Sequence, residues 1–335
     1  MGEIVARCWH FNERPKEMVD ANTFVLRETP VRALEDGEFL FRTLYLSLDA
    51  TNRVWLSDWD IYMEPVLIGE PMRGFVFGEI VESRHPDFPV GAHAAGLHSW
   101  ANHIVSDGAG FSVFPPLDGV DLAEAFAVLS VAGPTAYVGL HDIGELKGGD
   151  TIVVSGAAGA VGVMVGQIAK LLGCRVIGIA GSGDKCRMLT DELGFDAAIN
   201  YKTEDVERRI GALCPDGIDL CFENVGGEIL DASLAHMKDF GRVVICGLIS
   251  SYNAKDPVPG PFMFRNVIMR RLTIRGFVIL DHADRLPDVM SILVGLIADG
   301  KLTMPLHVVE GLDAAPDALN LLYTGGNTGK LLVRI

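Results

Sequence analysis

Between Ile152 and Ala169 the chain reads "IVVSGAAGAVGVMVGQIA", and no residue in it carries a formal charge. A membrane-spanning helix needs about 20 predominantly apolar residues, so length alone permits a span. The glycines argue otherwise. Gly156, Gly159, Gly162 and Gly166 begin just after the β-branched cluster Ile152-Val153-Val154. That order reads as a strand, a tight turn and the opening of a helix, with "KLLGCRV" continuing into the next strand.

The surrounding texture decides between the two. From Asp150 onward, strand-like and helix-like segments alternate: "RVIGIAG" before "DKCRMLTDELG", "DAAINY" before "EDVERRIGALC", "IDLCFENVGG" before "EILDASLAHMKD". "GRVVICG" and "LTIRGFVI" follow, and the helical "ADRLPDVMSILVGLIADG" comes last. Such alternation implies α/β architecture with a doubly wound parallel sheet, the Rossmann arrangement. The charge-free run is then its first βα unit. Before it, short β-type runs broken by Pro, Gly and Asp extend to Leu129 and predict a mostly antiparallel, barrel-like domain. The tail returns to β texture. The 335 residues exceed what one core usually serves. We therefore expect one domain from residues 1–129 with 304–335, and a Rossmann domain over 130–303.

Ala157-x-Gly159-x-x-Gly162 matches the dinucleotide fingerprint with alanine in the first glycine place. Gly159, Ala160, Val161 and Gly162 would bring helix-start amides against a pyrophosphate, and Gly162 would seat the helix closely. Close packing alone can also select glycine, but here the motif follows a strand and opens a helix. Where NAD sites place a carboxylate, after the second strand, this chain reads Ala180-Gly181-Ser182. Lys185 follows, placed to meet a 2′-phosphate, with Asp184 expected to turn outward as a helix cap. Tyr201, after the third strand, adds a phenol. These positions point to NADPH.

Charge and cysteines narrow the setting. With 28 Lys+Arg against 44 Asp+Glu, a net −16, the chain is a poor partner for nucleic acid. No apolar leader follows Met1, and Ala6 spoils a myristoylation signal at Gly2. Cys8, Cys174, Cys186, Cys214, Cys221 and Cys246 form no CxxC pair. A cytoplasmic protein with reduced thiols and no membrane association is the expectation. His93, His98 and His103 recur every fifth residue, which suits neither helix nor strand periodicity, so they cannot share one face as metal ligands.

At the level of longer motifs, "SGAAGAVGVMVGQIAKLLGCRVIGIAGSGDK", "DELGFDAAINYK", "ENVGGEILD", "ICGLISSYN" and "GGNTGKLLVRI" resemble the zinc-independent medium-chain dehydrogenases/reductases. Within them the resemblance is to the prostaglandin/leukotriene reductase, plant double-bond reductase and bacterial curcumin reductase group. It is dense from Gly133 to the C-terminus and looser before. It implies a GroES-like β-barrel domain beside the Rossmann domain, NADPH as reductant, reduction of the C=C bond of α,β-unsaturated carbonyls, and a homodimer. Carried over, the cofactor contacts fall on Gly159 to Gly162, Ser182, Lys185, Tyr201, Asn224, Cys246, Gly247, Ser250, Tyr252, Phe277, Val278, Ile279 and Asn327. Tyr252 matches the tyrosine proposed to protonate or polarise the substrate. Tyr252-Asn253-Ala254-Lys255 is one residue short of the short-chain reductases' Tyr-x-x-x-Lys, and Pro257 spoils a helix there.

Metal ligands are not expected: the first domain has one cysteine, Cys8, and reads "MRGFVFGEIVES" where zinc enzymes of this fold carry a His-Glu pair. Hydride delivery to an electron-poor alkene needs less polarisation than carbonyl reduction, and a hydroxyl can stabilise the enolate. On the substrate side the chain has Asp49-Ala50-Thr51-Asn52-Arg53 where many members read Asp-Pro-Tyr-Met-Arg. Asn52, Trp55, Tyr62 and Trp100 are candidate pocket walls in place of the lost aromatic, although core packing accounts for each equally well. Two rivals remain open on sequence: a quinone reductase on the same scaffold, and an NADPH-binding sensor without turnover.

Overall fold

Six short runs of β-branched and apolar residues build the central sheet: β1 (Thr151–Val154), β2 (Arg175–Ala180), β3 (Ala197–Asn200), β4 (Ile218–Glu223), β5 (Met237–Ile245) and β6 (Thr273–Gly276). The computed structural model describes residues 4–117, 119–256 and 258–335; Gly2 and Pro257 lie outside the described residues. All the strand pairs are parallel, in spatial order β3-β2-β1-β4-β5-β6. The order reverses between β1 and β4, and a doubly wound sheet binds ligands outside the carboxyl ends of its strands at that reversal. The inner strands are buried on both faces, which is why they read as unbroken apolar runs. The core over one face gathers Val153, Ile177, Ile179, Ile199, Cys221 and Val243.

The chain divides into two compact units, residues 1–126 with 306–335 and residues 127–305. The first unit holds an antiparallel pair, Val5–Phe11 with Phe24–Pro30. It also holds a seven-stranded sheet in which Phe39–Leu48 pairs antiparallel with Arg73–Ser83, His103–Ser106 and Lys330–Arg334. Its core is aromatic, with Phe11, Phe39, Phe41, Trp55 and Trp100 buried together.

One element departs from the sequence reading. Residues up to Leu129 read as β-type, yet a continuous helix runs Leu122–Ile143. It is long and apolar enough to cross a membrane by length and composition, but it is mostly buried inside the protein. Stretches at Val128–Ala132 and Gly139–Ile143 take the wider π pitch, which blurs the 3.6-residue periodicity that pattern reading relies on.

The charge-free run divides as expected into β1, a turn and the helix Ala160–Leu171. In mid-helix, a side chain on Gly166 would drive its Cβ into the ring of Phe195. The same ring also lies near Gly178, where an added Cβ would come within 3.0 Å of it. Gly166→Ala is expected to cost about 1–3 kcal/mol through overpacking, lowering the melting temperature by several degrees in calorimetry; an unchanged value would show that the Phe195 ring moves freely.

Candidate active site

The turn after β1 is set by close backbone approach. Gly156 sits at φ +58°, a left-handed conformation that favours glycine. The fingerprint spacing put the turn residue at Ala157; the structure moves that task one residue earlier. A side chain on Gly162 would place its Cβ 2.5 Å from the Gly156 carbonyl oxygen and 2.6 Å from Ala157 Cα. Those are backbone atoms that cannot step aside, so the helix is seated directly on the turn. Gly159 is the N-cap and makes no side-chain cap. The amides of Ala160, Val161 and Gly162, the first turn, have no intrahelical acceptor and present aligned N–H groups to an anion.

At the end of β2 the chain carries no carboxylate over Ala180–Ser182. Ser182 caps the next helix, accepting the Lys185 amide at 3.3 Å. Asp184 turns outward as expected, exposed and ion-paired with Arg187, but the cap is Ser182 and not Asp184. Lys185 is half-buried, and desolvation, then the neighbouring Lys202 ammonium, hold it below the ordinary lysine range. The Tyr201 ring lies over Gly181, where a Cβ would come within 2.9 Å of it. Lysines 185 and 202, Ser182 and Tyr201 thus surround one strand end.

Beyond β4, Asn224 is held by Ser155: its amide donates to Ser155 Oγ at 2.7 Å and its Nδ2 to the Ser155 carbonyl at 2.8 Å. Cys246 and Gly247 donate their amides to the Glu223 carbonyl. Ser250 Oγ donates to the Val225 carbonyl at 2.6 Å. The Tyr252 hydroxyl accepts the Leu248 amide at 3.1 Å. Phe277 follows β6 and packs near Gly139, and Val278 and Ile279 open a 3₁₀ turn. In the other unit, Asn327 is buried and donates Nδ2 to the Gly329 carbonyl at 3.2 Å, a local turn bond.

The substrate-side candidates differ in exposure. Trp100 is fully buried against Phe24, and Gly74 must be glycine to admit its indole edge. Asn52, also fully buried, accepts the Asp49 amide and donates to the Arg73 carbonyl. Trp55 is 3% exposed, under the Arg73 guanidinium, and donates its indole N–H to the Tyr62 hydroxyl. All three are buried within their own unit. Tyr62 alone is exposed, at 46%, and its hydroxyl also bonds Thr51 Oγ1. The segment beneath is anchored by Lys330, 1% exposed and paired with Asp49, and by Arg53, whose guanidinium donates to the Glu17 and Pro15 carbonyls.

His93 and His98 stack on Phe77 and Phe111 respectively. Among the described residues, no group of three or more His, Cys, Asp or Glu could hold a metal ion. Sequence reasoning passed over Ser155 and Glu223. The legible signal was a polar residue ending each of two apolar strands whose neighbours are buried.

Comparison with known proteins matches residues 7–114 to a family described as the N-terminal domain of oxidoreductase, and residues 160–295 to one described as zinc-binding dehydrogenase. The NADPH-dependent curcumin reductase of Escherichia coli (strain K12) is 37% identical over 98% of this chain and 96% of its own length. The 2-alkenal reductase (NADP(+)-dependent) of Nicotiana tabacum is 37% identical over 89% and 88%. The crystal structure of CurA in complex with NADPH from Vibrio vulnificus superposes with a TM-score of 0.91 at 38% identity, covering 98% of both chains.

Desolvation, with the Glu223 charge as a second cause, pushes the Cys246 thiol up from 9.0 to about 12. A thiol whose proton is held more tightly when folded contributes stability in full below the ordinary pKa and loses it as pH rises toward the folded one. The melting temperature is therefore expected to fall from pH 9 upward, and Cys246→Ala to make that fall shallower. Parallel pH profiles for the two proteins would refute the assignment.

Proposed function

The chain belongs to the zinc-independent medium-chain dehydrogenases/reductases, and on that premise we propose an NADPH-dependent reductase of the C=C bond in α,β-unsaturated ketones and aldehydes. The observation that carries the cofactor reading is the pairing of an uncapped helix start at Ala160–Gly162 with a carboxylate-free strand end faced by Lys185. Those groups fit a pyrophosphate and a 2′-phosphate. NADPH supplies the hydride that goes to the β-carbon of the activated alkene.

The chain's own residues do the rest. Backbone amides of Ala160, Val161 and Gly162 neutralise the pyrophosphate. Lys185, with Lys202, Ser182 and Tyr201 around it, grips the 2′-phosphate; bringing a dianion there also relieves the repulsion between the two ammoniums. Asn224, Cys246, Gly247, Ser250, Phe277, Val278 and Ile279 line the crevice beyond β4, β5 and β6. Tyr252, its oxygen held by Leu248, donates its proton toward the carbonyl oxygen on which enolate charge builds. The partner is thus a small-molecule alkene. Six free thiols favour a reducing compartment, the cytoplasm.

A homodimer forms through the outer edge of the sheet. Strand β6 has a neighbour on one side only, and Phe262 at 81% exposure, Phe264, Ile268 and Met269 leave apolar side chains in solvent nearby in the chain. Solvent-facing apolar clusters of this kind mark interaction surfaces.

Purified protein mixed with NADPH and a panel of enals, enones and quinones is expected to consume the cofactor with enals and enones and to release saturated carbonyl products. Lys185→Ala is expected to weaken NADPH binding about tenfold, the loss of one charge-assisted bond, while NADH binding stays unchanged. Activity with quinones alone, giving hydroquinone, would overturn the alkene assignment. In sedimentation velocity the protein is expected to run as a dimer, and a Phe262→Glu, Ile268→Glu double variant as a monomer; a monomeric parent protein would dismiss the interface.

A further inference from the structure

We propose that Glu223 is a positioning residue for NADPH, its carboxyl group tying two crevice segments together so that a third, joined to them by backbone bonds, shares one frame. The inference rests on the cofactor site proposed above. Glu223 ends β4 and is 0% exposed, so it touches no ligand itself. One of its oxygens, Oε1, accepts three hydrogen bonds: from Ser155 Oγ at 2.5 Å, from the Val225 amide at 2.6 Å and from the Gly226 amide at 2.8 Å. Among the described residues, the other oxygen has the Cys221 thiol as its hydrogen-bonding neighbour, at 4.0 Å.

Those donors belong to different pieces of the site. Ser155 begins the glycine turn after β1. Val225 and Gly226 form the turn after Asn224, where Gly226 and Gly227 sit at φ +84° and +57°. Backbone bonds then carry the frame to the third segment: Cys246 and Gly247 donate to the Glu223 carbonyl, Ile249 to that of Asn224 and Ser250 to that of Val225. Tyr252 is tied to this segment through Leu248.

Burial raises the Glu223 pKa, and the Ser155 hydroxyl and backbone amides oppose it; no cation is among the groups acting on it. A carboxyl group kept in such a place without a counter-charge is expensive. Packing alone would be met more cheaply by an apolar residue. What an acid supplies here is one oxygen able to gather donors from two loops. Glutamine offers an oxygen at the same reach, so the frame depends on the acceptor and not on the acid's proton.

The test uses the full-length protein, with NADPH affinity by calorimetry and steady-state constants on an enone. Glu223→Ala is expected to raise the NADPH Kd and KM by about tenfold or more, with kcat at saturating cofactor within about threefold. Glu223→Gln is expected to restore Kd to within about threefold of the parent. A folded alanine variant with parental affinity, or a glutamine variant as weak as alanine, would overturn the proposal. Should alanine fail to fold, Glu223→Asp draws the oxygen back by one methylene: raised Kd supports the frame and parental Kd overturns it. If the parent protein itself ignores NADPH, the cofactor reading fails first, and the variants are not what decides it.

Discussion

A methyl group does not fit between the helix Ala160–Leu171 and the turn beneath it. That contact, Gly162 against the backbone of Gly156 and Ala157, is the constraint from which the rest of the crevice follows. It brings the first turn of the helix down onto the end of β1. The cap residue, Gly159, contributes no side-chain oxygen, so the aligned amides are left for an anion from outside. Strands on either side of β1 then deliver their own carboxyl ends to the same edge.

Electrostatics act on this frame locally, against the charge of the whole molecule. A chain with net −16 repels anions at long range, but that field is screened over about 8 Å at physiological salt. Within that distance of the β2 end the balance is different. The acid beside Lys185, Asp184, is paired with Arg187, and Lys185 and Lys202 repel each other across partly desolvated surface. Such a pair gains when a phosphate arrives.

The other unit shows the opposite use of polar groups. Asp49, Asn52, Arg53 and Lys330 hold one short segment in place. Lys330, buried, pairs with the partly buried Asp49, and withdrawing that ammonium from water costs desolvation while fixing geometry. Trp100 and Trp55 went the same way, into a core rich in aromatics. Nothing local distinguishes an aromatic wall from an aromatic core, because both need the same side chain; only the neighbours differ.

Sequence by itself determined the periodic and the covalent: which runs are strands, that they alternate with helices, and that no acid stands over Ala180–Ser182 at the end of β2. These are properties of adjacent residues, and they survive without knowledge of the fold. It misplaced the helix Leu122–Ile143, whose π stretches break the period, and it passed over Glu223 and Ser155. Those two meet only when β1 and β4, 68 residues apart in the chain, lie side by side. Which polar groups are spent on structure and which remain for a ligand is decided by packing between distant segments, and that exists only once the chain has folded.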